Sequence, residues 1–197
     1  MQTNKKSGNK LIFVAACVGW IHDAYNLTII TLLGTSIIEA FPGVGDFELG
    51  LIFSGQFIAT FIGAIIFGSM ADRIGRKPAL IFSILWDTII TTLSAFSINF
   101  IWLFTTRILS GMGVSWGVGY ALVSESFGER PKRRGLAGGF LHSTFIVGFI
   151  LASVVAQVIL PLNLPFGSWR YCFLVSLFPI PFLIILQFRM RESEMMV

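Results

Sequence analysis

Charge is what this sequence lacks. Only 12% of its 197 residues are Asp, Glu, Lys or Arg, where a soluble domain carries about 25%, and that scarcity excludes a chain whose main solvent is water. Cysteine is nearly absent as well. Cys17 and Cys172 each lie inside an apolar block, which excludes a disulfide framework or a CxxC metal site and leaves them as packing residues. No nucleophile–base pair and no metal-spaced cluster appears, so neither an enzyme nor a cofactor or metal is expected. Low-complexity stretches, a soluble domain and a long linker are missing too. Lysines precede the first apolar run as in a signal peptide, but the run continues past Asp23 to about Ile38 without a small-residue cleavage site, so it reads as a retained helix.

Apolar surface is what fills the chain. Hydrophobic residues make up 55% and the mean hydropathy is +0.82. They come in six continuous blocks, at about 11–38, 48–70, 79–97, 100–126, 136–160 and 170–188. A backbone in hydrocarbon must satisfy its own hydrogen bonds, and segments of this length do so as helices. The expected fold is therefore an all-α membrane protein, one six-helix transmembrane domain over residues 1–190. The net charge of +4 could suggest a nucleic-acid partner. The basic residues instead sit in short clusters between spans, so none is expected.

Those clusters set the topology. Lys5, Lys6, Lys10, Arg73, Arg76, Lys77, Arg130, Lys132, Arg133, Arg134, Arg189 and Arg191 all fall on one side, twelve of the fourteen Lys and Arg residues. Cytoplasmic loops are enriched in these residues, so both termini are expected in the cytoplasm and the cell membrane is the expected location. Arg170 stands at the mouth of the sixth span and Arg107 inside the fourth. The fourth span also carries Gly111, Gly113, Gly117 and Gly119, and the 113–117 spacing is a GxxxG packing pattern.

Three charged residues lie where the bilayer rejects charge, at a cost of roughly 2.5–3.5 kcal/mol each. Asp23 lies about 18 Å from the cytoplasmic face, and Arg107 about 20 Å from it, by helical rise in a ~30 Å core. Opposite charges at one depth can pair, and protonation or a competing anion can break the pair. A static ion pair that fixes packing is the alternative. Asp87, about 12 Å into the third span, has no obvious partner and suits either a structural role or an aqueous vestibule. Weaker polar candidates are His22, Asn26, Gln56, Tyr120, His142 and Gln157, each able to line a cavity or to bond a neighbouring helix. An imidazole such as His142 can also carry protons.

Between the second and third spans the chain reads Gly68-Ser-Met-Ala-Asp72-Arg73-Ile-Gly75-Arg76-Lys77. This resembles the GxxxDRxGRK signature of the major facilitator superfamily, in the cytoplasmic loop where that family carries it. Gly19 to Leu27 is similar to the DxYDL-type stretch of its proton-coupled phosphate, organic-acid and sugar symporters, with Asn26 in place of the second acid. Arg107 to Ser124-Glu125 is similar to the family's fourth helix, Arg134-Gly135 to the opening of its fifth, and Ser168-Trp169-Arg170 to the GWR before its sixth, serine replacing glycine.

The resemblance implies two inverted three-helix repeats and proton-coupled alternating access. It places a proton-linked gate on Asp23 and Arg107 and makes His142 a cavity candidate beside Asn26, Gln56, Tyr120 and Gln157. It places an inner gating network on Gly68, Asp72, Arg73, Gly75, Arg76, Lys77 and Glu125. The family has twelve helices, so the six here correspond to an amino-terminal half, with residues 191–197 resembling the start of the central cytoplasmic linker. The expected partners are a small polar or anionic solute, protons, the lipid bilayer and either a carboxy-terminal half or a second copy of the chain. A half-size protein working as a homodimer and a non-transporting scaffold or sensor with the same fold are the alternatives.

Overall fold

The computed structural model describes residues 2–113, 115–126 and 131–182, with the backbone alone at 2–12, 125–126 and 131–134. It is all-α, with no strand among the described residues. The elements are α1 (Gln2–Leu32), α2 (Gly34–Ala40), α3 (Asp46–Ile74), α4 (Arg76–Ser94), α5 (Phe100–Met112), α6 (Trp116–Ser126), α7 (Pro131–Ile159) and α8 (Ser168–Leu174). Two 3₁₀ turns, Leu160–Leu162 and Val175–Leu177, follow α7 and α8.

Local chemistry sets the boundaries. Phe41-Pro42-Gly43 follows α2, and proline cannot continue the ladder while Gly43 takes φ +85°. Glu48 reaches back to accept from the Gly45 backbone N–H at 2.8 Å and so caps α3. Asn99 accepts from the Trp102 N–H at 2.8 Å at the start of α5. The sequence places a loop between the second and third spans. The structure reduces it to Gly75, at φ +100° and ψ +154°, a conformation reserved for glycine, with helix on either side.

Two apolar blocks that read as unbroken helices are interrupted. The first changes direction at Leu33, between α1 and α2. The fourth parts between Met112 and Trp116 into α5 and α6, and among the described residues neither piece alone has the length of a span. Among the described residues, three helical stretches are long and apolar enough, by length and composition, to cross a membrane: Phe13–Leu32, Asp46–Ile74 and Gly135–Leu162. The GxxxG reading needs correction. A Cβ on Gly113 would meet the Asp87 backbone nitrogen at 2.8 Å, whereas Gly117 faces open space. Close approach in the fourth span thus falls on Gly113 and on Gly111, whose Cβ would come within 2.5 Å of the Gln56 carbonyl oxygen; elsewhere a Cβ on Gly63 of α3 would come within 2.0 Å of the Met112 carbonyl oxygen, and one on Gly148 of α7 within 2.4 Å of the Ile21 carbonyl oxygen.

Helix α1 packs along α7 and α6, while α3 and α4 pack on α5. Apolar clusters occupy both ends. Tyr25, Ile29, Ile30, Leu33 and Ile37 meet Leu103, Ala152, Trp169 and Phe173 at one end. Ala15, Phe67, Leu80, Ile84 and Leu122, with Trp20, Val123 and Leu141 beside them, fill the other. Arg170 ties the sixth block to the end of α4, donating to the Ala95 carbonyl at 3.0 Å while stacked 4.4 Å above the Trp169 ring.

Candidate functional site

Between the two apolar ends lies a buried polar layer: His22, Asp23 and Asn26 of α1, Asp87, Thr88 and Thr91 of α4, Arg107 and Ser110 of α5, Ser115 at the break, and Ser176 after α8. Each is at most 2% exposed, so its hydrogen-bonding demands must be met inside the protein. Depth matching expects Asp23 and Arg107 to pair. The structure corrects this, for among the described residues no ion pair joins them. Depth fixes height along a helix, not the direction a side chain faces.

Asp23 faces the break between α5 and α6. Its Oδ2 accepts from the Ser115 backbone N–H at 2.9 Å and from the Ser115 hydroxyl at 2.8 Å. The break frees backbone donors at the start of α6, and a carboxylate is the strongest acceptor a side chain can offer them. Its Oδ1 has no partner.

Arg107 lies on the other side of the layer. Its Nη2 donates to the Thr91 hydroxyl at 2.6 Å, and Thr91 donates on to Asp87 Oδ1 at 3.1 Å. Its guanidinium carbon sits 5.0 Å from the Phe173 ring centroid. Nε and Nη1 have no partner although the whole side chain is buried. Asp87, without an evident partner in the sequence, is the best-connected acid of the layer. Beyond Thr91 it accepts from Asn26 Nδ2 at 2.6 Å and lies 3.4 Å from His22 Nδ1.

His22, Asp23 and Asp87 place one ligand-type atom each within 4.8 Å of one another. Asn26, Thr91 and Ser115 already direct hydrogen bonds onto the two carboxylates. This is the donor set of a hydrogen-bond network.

The cavity candidates divide. Asn26 and Gln56 are buried in the bundle, Asn26 against Asp87 and Gln56 against Gly111. Tyr120, His142 and Gln157 are exposed on α6 and α7. His142 meets the Trp20 ring edge-on, centroids 4.5 Å apart, and Tyr120 lies over Gly138. In the Gly68–Lys77 motif, Arg76 Nη2 and Asp72 Oδ1 form an ion pair at 3.0 Å across the Gly75 turn, while Arg73 is exposed and Gly68 faces open space. Glu125 lies outside the residues whose side chains are described.

Sequence reasoning passed over the hydroxyls Thr88, Thr91, Ser115 and Ser176. A signal for the α4 set exists: Ser83, Asp87, Thr91 and Ser94 recur at three- and four-residue spacing and all four are buried, a polar stripe down one face.

Residues 11–194 match the family model described as Major Facilitator Superfamily. A probable 4-methylmuconolactone transporter of Cupriavidus pinatubonensis is 30% identical over 188 residues, 94% of this chain and 43% of that protein. The sialic acid transporter NanX of Escherichia coli is 35% identical over 182 residues, 91% of this chain and 43% of that protein. In fold, the partially occluded inward-open conformation of the xylose transporter XylE from E. coli superposes with a TM-score of 0.81 at 22% identity, over 94% of this chain and 50% of that one. The chain thus spans about half the length of the relatives it matches.

Proposed function

Since the chain belongs to the Major Facilitator Superfamily, we propose that it supplies one six-helix half of a proton-coupled transporter for a small anionic solute, seated in the cell membrane with both termini in the cytoplasm. The observation that carries the anionic solute is Arg107: a buried guanidinium with two nitrogens, Nε and Nη1, that have no hydrogen-bond partner. Unsatisfied donors at this depth are costly, and a planar carboxylate matches the guanidinium fork. The name of the sialic acid relative is consistent with an acidic cargo. Phe173 sits over Arg107, so the anion reaches it when the sixth block moves.

Proton coupling falls to Asp23. As a carboxylate it clamps the α5–α6 break through both Ser115 groups; protonated, it is a poorer acceptor and the clamp loosens. Proton and anion would then release two anchors on opposite sides of one layer, in place of one ion pair, and let the half rock against its partner. That partner completes the cavity. Exposed apolar side chains along α3 and α7, such as Phe57, Phe61, Ile65, Phe140, Ile150 and Val154, leave broad faces for a second six-helix unit and for lipid. The exposed Tyr120, His142 and Gln157 are the candidates for that cavity wall.

Uptake into proteoliposomes under an imposed proton gradient tests the reading, with crosslinking to report whether a second copy completes the unit. Asp23→Asn is expected to abolish uphill accumulation while counterflow persists. Unchanged uphill accumulation by that variant removes Asp23 from the coupling.

A further inference from the structure

The buried layer holds two carboxylates, Asp23 and Asp87, and one guanidinium, Arg107, with one imidazole, His22, among them. With a neutral imidazole, the ionised layer carries one net negative charge at mid-membrane, where uncompensated charge costs several kcal/mol. One proton makes it neutral. Asp23 is one place for that proton; the geometry around His22 supplies another.

The two ring nitrogens of His22 meet different surroundings. Nδ1 lies 3.4 Å from Asp87 Oδ2 without a formed hydrogen bond, and the carboxylate's negative charge favours a hydrogen on that nitrogen. Nε2 is met by the Ser176 backbone carbonyl at 3.1 Å, Asn26 Nδ2 at 3.2 Å and Thr88 Oγ1 at 3.3 Å. These neighbours ask for opposite things. The carbonyl only accepts, so it requires a hydrogen on Nε2, whereas the Asn26 amide nitrogen only donates and requires a lone pair there; the Thr88 hydroxyl serves either. An imidazolium therefore bonds Ser176, across to the sixth block, and the neutral Nδ1–H form turns to Asn26, one turn along its own helix.

We infer that His22 and Asp87 form a second proton-binding site, separate from Asp23, whose occupancy decides whether α1 is latched to the 3₁₀ turn Val175–Leu177. The proton taken up at Nε2 makes the Nε2–H···O=C bond to Ser176 and neutralises the layer; on leaving, it breaks that bond, and the layer stays neutral when Asp23 takes up a proton instead. The charged groups around the imidazole are Asp23 on α1, Asp87 on α4 and Arg107 on α5. The inference uses the layer's charge balance and makes no use of transport.

The test is nitrogen-15 NMR of ring-labelled protein, full chain in lipid nanodiscs, without any transport assay. The chain has two histidines, and His142→Ala assigns the remaining signal to His22. Across pH 5 to 9, His22 is expected to pass from imidazolium to the neutral Nδ1–H tautomer. In Asp87→Asn the imidazolium fraction at a pH where the wild type is half converted should fall roughly tenfold. In Asp23→Asn, which removes the competing negative charge but not the contact, it should fall less. A neutral Nε2–H tautomer throughout, a signal that does not titrate, or equal titration in wild type and Asp87→Asn overturns the site. A shift produced by sodium or zinc at constant pH overturns it in favour of a metal cation. If Asp87→Asn does not fold, the tautomer of the His142→Ala protein decides the question alone. Failure here leaves the Asp23 uptake test untouched, and failure of that test leaves the His22 tautomer to be read.

Discussion

Two charged regions of this chain place acid and base within reach of each other, under opposite rules. At the Gly75 turn, Asp72 and Arg76 pair four residues apart with side chains 67% and 27% exposed. In the mid-membrane layer the partners come from far along the chain, Asn26 and Asp87 being 61 residues apart and Asp23 and Ser115 92 apart, and all are buried. The turn is a local motif that water helps to satisfy. The layer is a tertiary network in which every unmet group is paid for in full. Substitutions should therefore separate the two regions sharply.

The largest effect is expected from Arg107→Ala. It removes the positive charge opposite Asp87 and empties a fully buried side-chain volume, leaving an uncompensated carboxylate at a cost of about 3–5 kcal/mol. Reversible unfolding in mixed micelles, followed by helical circular dichroism, should show the loss. A cost under about 1 kcal/mol would mean that water enters the layer and that it resembles the turn after all. Arg107→Lys keeps the charge but not the fork, and should recover part of the stability.

Next is Gly75→Ala. The turn is exposed electrostatically but strained in its backbone, since φ +100° and ψ +154° admit little besides glycine, and such strain costs of order 1–3 kcal/mol. The same unfolding measurement reads it. An unchanged midpoint would show that α3 and α4 can pivot about residue 75 without that conformation.

How much of this was legible before the structure depended on range. The motif from Gly68 to Lys77, the six apolar blocks and the basic side are carried by neighbouring residues, and they led to the all-α half of a major facilitator fold. The turn was even tighter than expected, because helix extends to Ile74 and restarts at Arg76. In the layer, depth along the helices suggested that Asp23 and Arg107 share one level. It could not give the angle about each helix axis, and that angle sends Asp23 to Ser115 and Arg107 to Thr91. The break between Met112 and Trp116 was hidden by an uninterrupted apolar run with no proline to mark it, and the Asp23 carboxylate that bonds Ser115 there comes from 92 residues away. His22 looked minor because its importance comes from Asp87 and Ser176, 65 and 154 residues away.

Smaller effects distinguish the two hydrogen bonds Asp23 receives. Ser115→Ala removes the hydroxyl donor at 2.8 Å but keeps the backbone N–H at 2.9 Å, so the clamp, read by the same unfolding measurement, should weaken by about 0.6 kcal/mol, the average for interhelical bonds in membranes, and by no more than about 1.7 kcal/mol. The methyl side chain also relieves nothing at Gly19, whose hypothetical Cβ would lie 2.7 Å from the Ser115 hydroxyl oxygen, so a packing gain is not expected to mask the loss.

The smallest effect belongs to Asp72→Asn. Its partner Arg76 is one helical turn away across Gly75, and an exposed pair contributes about 0–1 kcal/mol and fades as salt screens it. Stability in low salt should fall slightly, and the difference from wild type should vanish at high salt, whereas the Arg107→Ala deficit should persist because ions do not reach the layer. A deficit for Asp72→Asn that survives high salt would mean that the turn is held as a buried network holds its charges.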